Sequence, residues 1–389
     1  MDRRVNQMPA PQVQGLRVLV APDKFKGSLS ASQAAEAIAG GILDAVPDCD
    51  VVLLPVADGG EGTIDAVAAA GAAVHELRVR GPLGHPVDAR WAALGEVAVI
   101  EMAQATGLQS VSRPTPATAE AASTFGVGEV ILEALDHGYR RIIIGAGGVA
   151  SSDGGAGALT ALGLRIVDDT GASIDSVEDL ARAAYLDGTG LDRRLVAADI
   201  TIATDVMVPL LGPKGAAQLF GPQKGADPVT VVRLEHRLTR WNALLKAAFS
   251  VDPGSTAGAG AAGGFASGFT AVLRARIAPG TQLIGELVGL EEAIATSELV
   301  VVGEGSLDEQ SLEGKAPIAI ARSAQRRNIP VLALSGRLQG SIRSNLVEEG
   351  IVSADSLLDM AVDLDDAVAN AYSLLRSLAA RAITRYASR

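Results

Sequence analysis

The 389-residue chain contains one cysteine, four histidines, 3% aromatic residues and only six lysines among its 33 basic residues. A single thiol can form no internal disulfide. Cys49 sits in Asp48-Cys49-Asp50, an acidic setting that disfavours a thiolate, so a reducing, cytoplasmic compartment is expected. The histidines (His75, His85, His137, His236) are scattered without metal-ligand spacing. No run of 18 apolar residues exists, which excludes a membrane-spanning helix and any membrane partner of that kind. Residues 1–15 lack the apolar core of a signal peptide and read as a frayed polar tail. A net charge of −12 argues against a nucleic-acid partner.

What is plentiful is hydrophobic residues, at 48%, and glycine, at 44 residues without a Gly-X-Y period. That composition buries a sizeable core and excludes both disorder and collagen. The length suggests two or three domains. The lysines are Lys24, Lys26, Lys214, Lys224, Lys246 and Lys315, and four of them touch a glycine. Ordinary surface positives here are arginines. The lysines therefore point to loops where backbone amides and a compact ammonium meet an anion; chance placement in a Gly-rich chain is the alternative. Lys246 lies in a helical pattern and reads as a solvated face.

Strand and helix patterns alternate. Leu16–Ala21 is a short apolar run that predicts a buried strand, and a helix follows from a Ser30/Gln33 capping box to about Val46. Val51–Leu54 and a helix from about Thr63 to Ala70 complete a βαβα opening. Segments 74–79 and 87–94 flank the turn Gly81–Pro86 as a hairpin-like excursion. Further strands are expected at 97–100, 141–144, 200–203, 299–302 and 331–334. Helices are expected at about 127–137, 227–249, 316–327 and 365–387. The fold class is α/β. A discontinuous Rossmann- or flavodoxin-like parallel-sheet domain takes 1–71 plus 286–389, and a second α/β domain is inserted at 72–285.

Seven of these strands run into loops bearing Gly with a charged or hydroxyl residue, among them Asp23-Lys24, Asp58-Gly59-Gly60-Glu61, Thr204-Asp205, Gly303-Glu304-Gly305 with Asp308, and Ser335-Gly336. Ligands of open α/β sheets bind outside the carboxyl ends of the strands. The richest loop, Gly145–Gly157, leads into an apolar segment and suits a phosphate cradle through Gly147, Gly148, Ser151, Gly154 and Gly155. Within it, Asp153 can orient a metal, accept a proton from a substrate hydroxyl, or merely cap a helix.

The standard signatures fail. Counting back from Gly314-Lys315 places Glu309 where a P-loop needs glycine, and Ala316 follows. Gly258-Ala259-Gly260-Ala261-Ala262-Gly263 spells a dinucleotide fingerprint but follows Asp252–Thr256 rather than a strand, so a dehydrogenase is poorly supported. No G-x-S-x-G elbow is present. Carboxylates, lysines, hydroxyls and glycine loops remain, an inventory that suits phosphoryl transfer with Mg²⁺.

The segments APDKFKGSLSA (21–31), PVADGGEGT (55–63), IEMAQATGL (100–108), TFGVGEVI (124–131), GAGGVASSDGGAGAL (145–159), GPKGAAQLFGPQKGA (212–226), GAGAAGGF (258–265) and VVGEGSLDEQSLEGKAP (301–317) run in order over about 16–340 and resemble the bacterial class I glycerate kinases. The resemblance implies a phosphotransferase that uses ATP to phosphorylate D-glycerate, commonly to 2-phosphoglycerate, in a two-domain α/β protein. The chain departs from the usual family pattern at Val149, Met207-Val208 and Ser306.

The expected machinery follows. Lys24, Lys26 and Lys315 neutralise phosphate or carboxylate charge, with Ser28, Glu61 and Glu304 among the substrate- or nucleotide-binding residues. Asp58, Asp205 or Asp308 holds Mg²⁺, and Asp153 handles the acceptor hydroxyl. The two substrates are expected to meet in a cleft between the domains. A kinase of a related small sugar acid, or a non-catalytic paralogue that binds a ligand, stays open as an alternative. Oligomeric state is also open, with a homodimer as one arrangement.

Overall fold

The computed structural model describes residues 15–309, 311–313 and 315–388. Nearly all of the expected polar tail therefore lies outside the described residues. The strands, in chain order, are β1 (Arg17–Pro22), β2 (Asp50–Leu53), β3 (Ala73–Arg80), β4 (Pro86–Leu94), β5 (Val97–Glu101), β6 (Arg141–Gly145), β7 (Arg165–Val167), β8 (Tyr185–Asp187), β9 (Asp199–Ala203), β10 (Arg276–Ala278), β11 (Leu299–Leu307), β12 (Val331–Leu338) and β13 (Ile351–Ser356). They belong to two compact units. One takes the chain up to Ala57 and again from Gly285; the other is the continuous stretch Asp58–Ile284.

The discontinuous unit holds a parallel sheet ordered β13-β12-β11-β1-β2. Counted within the unit this is the 2-1-3-4-5 order of flavodoxin-like folds. Beyond the exposed Arg17, β1 (RVLVAP) is apolar and buried because both of its faces are covered. Val18, Val20, Leu299, Val301 and Leu332 fill one core with Ile38, Leu375 and Ile383. The last three come from the helices Ala31–Ala45 and Ala371–Ala387, which pack on each other. Gly41 makes that approach close, since a Cβ there would stand 2.0 Å from the Arg376 carbonyl oxygen. The expected Ser30/Gln33 capping box starts the first of these helices.

The second unit carries a six-stranded sheet ordered β10-β9-β6-β5-β4-β3. β3, β4 and β5 form an antiparallel meander, the expected excursion, whereas β5, β6, β9 and β10 are parallel. Trp91, Ile100, Ile131, Ile144, Trp241 and Phe265 are among the residues of its core.

The first boundary falls between Ala57 and Asp58, not at 71/72. The helix Thr63–Ala69 packs on β3, β4 and β5, and the Ile64 N–H donates to the buried Glu101 carboxylate at 3.0 Å. Sequence continuity with the βαβα opening had suggested the other unit. The short strands β7, β8 and β10, and the mixed polar β13 (IVSADS), were not expected from the sequence.

Candidate active site

In the discontinuous unit the chain leaves β1 toward β2 on one side and returns as β11 on the other. The sheet direction therefore reverses between β1 and β11, and their carboxyl ends open the crevice where such folds bind ligands. Asp23-Lys24 follows β1 there, its backbone tied to β11 by the Asp23 N–H donating to the Gly303 carbonyl at 2.8 Å. Phe25, fully buried, anchors the loop that carries the exposed Lys26. The Ser28 hydroxyl is turned inward, donating to the Phe25 carbonyl at 3.1 Å.

β11 supplies Glu304 and Ser306, and Asp308 follows its last residue directly. The Ser306 hydroxyl donates to Asp308 at 3.3 Å, and the Lys315 ammonium stands 3.7 Å from the same carboxylate. Lys315 is the N-cap of the helix Ala316–Gln325. Glu304 is buried and its Oε1 has no hydrogen-bond partner among the described residues. Burial pushes its carboxyl up to about 7; Ser311 and Lys315 pull it down, and Asp23 and Asp308 raise it further. Asp23, Glu304, Asp308 and Lys315 are thus brought together.

In the second unit the Gly145–Gly157 loop is mostly a packed structural element. Residues 149–159 are buried, which leaves only Gly147 and Gly148 reaching solvent. Ser151, Gly154 and Gly155 therefore do not line an open cradle. Close backbone packing needs the glycines: a Cβ on Gly154 would stand 2.3 Å from the Trp241 ring, and one on Gly263 would stand 2.1 Å from the Ser151 carbonyl oxygen. Ala262, Gly263 and Gly264 form a left-handed run at that contact, so the sequence resembling a dinucleotide fingerprint is a packing device.

The proton-accepting role for Asp153 does not fit either. Its buried carboxylate accepts from the Thr124 N–H (2.8 Å), the Thr124 hydroxyl (2.8 Å), the Gly155 N–H (3.1 Å) and the Gly157 N–H (3.1 Å). Those four donors hold the loop and leave nothing aimed at a substrate.

Sequence reading left Lys224 open and missed its place under this loop. The side chain is fully buried and donates to the Ser151 carbonyl at 2.5 Å, with the Ser152 hydroxyl at 3.4 Å. Burial lowers its ammonium to about 8 from 10.5, and Asp153 opposes the shift. Between those values the unfolded chain holds the proton and the folded chain does not. Stability from this group therefore rises with pH across about 8 to 10.5. Melting temperatures measured from pH 8 to 10 are expected to show that rise in the native chain and to lose it in Lys224→Met. An identical slope in both would remove Lys224 from the account.

At the carboxyl ends of β5, β6 and β9 the loops of this unit meet. Gly59 lies against the Ala203 carbonyl, Gly147 against Gly60, and Gly148 against the Glu61 carboxylate, each too close for a Cβ. Asp58 accepts from the Gly60 N–H at 2.9 Å, forming the turn. Asp205, exposed, accepts from the Thr281 hydroxyl at 2.6 Å, in the first turn of the helix Gly280–Leu287. Asp58, Glu61, Gly147, Gly148 and Asp205 are thereby gathered on one rim. Glu101 belongs there too; burial raises its carboxyl while Ile64, Gln104 and Gly62 lower it. Its helix-capping role gave no signal in the sequence, because donor and acceptor are 37 positions apart.

Carboxylates, hydroxyls and lysines crowd the switch-point crevice of the discontinuous unit, an arrangement able to hold a charged small molecule. The model of the glycerate kinase family matches residues 18–387. The chain is 40% identical over 367 residues to the glycerate 2-kinase of Escherichia coli K12, covering 92% of this chain and 94% of that one. It is 41% identical to a glycerate kinase of Bacillus subtilis 168, covering 92% and 94%. A crystal structure of a protein assigned as glycerate kinase 2 from Salmonella typhimurium LT2 superposes with a TM-score of 0.82 at 38% identity, covering 96% of this chain and 99% of that one. On the span of the match and the agreement of the folds, this chain belongs to the glycerate kinase family.

Proposed function

We propose that the chain transfers the terminal phosphoryl group of ATP to D-glycerate and forms 2-phosphoglycerate. The observation that carries this reading is the Glu304–Asp308–Lys315 group at the β1/β11 switch point, which combines a buried carboxyl with an unpartnered oxygen and an ammonium beside a second carboxylate.

Glu304 accepts the proton of the acceptor hydroxyl; its carboxyl, raised to about 7, is matched to that task near neutral pH. Lys315, with Lys24 and Lys26 in the loop after β1, neutralises oxyanion charge. The donor set also fits Mg²⁺, which takes oxygen ligands from one or two carboxylates and keeps its waters. Among the described residues no three acidic, histidine or cysteine side chains stand close enough to hold an ion by themselves. Asp308, flanked by the Ser306 and Ser311 hydroxyls, would hold an ion arriving with the nucleotide, and the ion would screen phosphate charge.

We place the activity in the cytosol. Among the described residues no helix is long and apolar enough to cross a membrane. The lone Cys49 is buried, and burial, then Asp48, push its thiol up and keep it unreactive.

Phosphorus NMR of a reaction with ATP, Mg²⁺ and D-glycerate tests this. The expected result is a new phosphomonoester coupled to the C2 proton. A C3 phosphate would move the acceptor position. Turnover only with another sugar acid would replace the substrate. ATP binding without turnover of any hydroxy acid would leave the ligand-binding paralogue.

A further inference from the structure

The sheet of the discontinuous unit places one more cation beside this crevice. β11 and β12 run parallel with Glu304 paired to Ser335 and Ser306 paired to Arg337. Paired residues on neighbouring strands, and residues two apart on one strand, share a face. Glu304, Ser306, Ser335 and Arg337 therefore form one patch at the carboxyl end of the sheet.

The backbone holds that patch firmly. A Cβ on Gly336 would stand 2.5 Å from the Gly305 carbonyl oxygen, so β11 and β12 are pressed together one residue before Arg337. The residue opposite is the small Ser306, which leaves the space over β11 open to a long side chain.

Arginines elsewhere in this chain commonly have carboxylate partners: Arg322 with Glu349, Arg376 with Asp44, Arg276 with Asp199. Arg337 is exposed and has no such partner among the described residues, although acids lie in its own patch. Lys315, by contrast, already stands beside Asp308. The crevice sets Asp23, Glu304 and Asp308 against Lys24, Lys26 and Lys315, so the acids already offset the lysines and a further cation favours an incoming oxyanion.

We propose that Arg337 is a substrate-binding residue of this site, its guanidinium receiving an oxyanion of one of the two substrates at the β11/β12 end of the crevice. The planar fork of arginine suits two oxygens of one phosphoryl or carboxylate group, which a lysine cannot match. The inference rests on the kinase reading above and deepens it.

The test is steady-state kinetics of Arg337→Ala, Arg337→Lys and the native chain. Arg337→Ala is expected to lower kcat/KM by about 10- to 100-fold, with Arg337→Lys recovering only part of it and millimolar guanidinium partly rescuing the alanine variant. A rise in KM for ATP assigns the nucleotide phosphates. A rise in KM for D-glycerate assigns the carboxylate. A fall in kcat alone assigns the phosphoryl group in flight. The melting temperature is expected to stay unchanged, because the side chain is exposed. All kinetic constants within twofold of native would overturn the proposal while leaving the kinase reading intact. If the native chain turns over no glycerate, calorimetric titration of Mg·ATP into native and Arg337→Ala protein tests the nucleotide arm, and equal affinities there would defeat the inference.

Discussion

Glu304→Gln is expected to reduce kcat by about 10²–10⁴-fold and, above neutral pH, to make the protein more stable than the native chain. Both effects come from one property. The carboxyl is buried and one of its oxygens lacks a partner, so ionising it is costly and its value rises from 4.5 to about 7. Between those values the folded chain holds a proton that the unfolded chain has released. Stability from this group is therefore lost as pH rises through that window, up to about 3 kcal/mol once both states are ionised. Glutamine is neutral at every pH and avoids the cost. Melting curves at pH 4.5 are expected to coincide, and those at pH 8 to favour the variant. A variant with native kcat would remove Glu304 from proton transfer. A variant with no gain at pH 8 would show that the native carboxyl is solvated.

Asp153→Ala is expected to lower the stability of the Asp58–Ile284 unit by about 3–5 kcal/mol. Four buried donors lose their acceptor together. Lys224 and the buried Arg237, both within the field of Asp153, lose a counter-charge in the same step. Asparagine keeps one accepting oxygen and turns an amide toward N–H groups, so it recovers little. The discriminating measurement is kcat per folded molecule at low temperature, expected to stay within about tenfold of native for Asp153→Asn, since the group braces the loop and does not reach solvent. A melting temperature equal to native with turnover reduced about 10³-fold would return Asp153 to the chemistry.

The parallel sheets were legible because their strands are short apolar runs ending at Gly with a charged residue. LRVLVA, RIIIG and LVVVGE leave little else to fold into. β13 escaped notice because IVSADS alternates polar residues on an edge strand, where one side is half exposed. The inward turn of the Gly145–Gly157 loop was illegible for a different reason. A glycine run reads equally well as a place for a ligand or for another backbone. What decides it is the left-handed run at Ala262–Gly264, more than a hundred positions away. Asp153 followed the same error, being read through its neighbours in sequence rather than through Thr124. Glu304 was legible as a loop residue, but its burial depends on the β1/β11 pairing. Arg337 drew no attention at all, since only strand register sets it opposite Ser306.

The switch-point pairing of β1 with β11 also sets an order of assembly on the ribosome. β1 and β2 leave the exit tunnel early, yet the neighbour of β1 on its other edge begins at Leu299. The Asp58–Ile284 unit is continuous and can complete its own sheet in that interval. Until β11 arrives, the nascent chain carries an apolar strand with an open edge, a hazard for aberrant pairing that a chaperone would be expected to cover. A ribosome stalled between residues 284 and 299 would thus release a chain with one finished globule and no phosphoryl-transfer crevice at all.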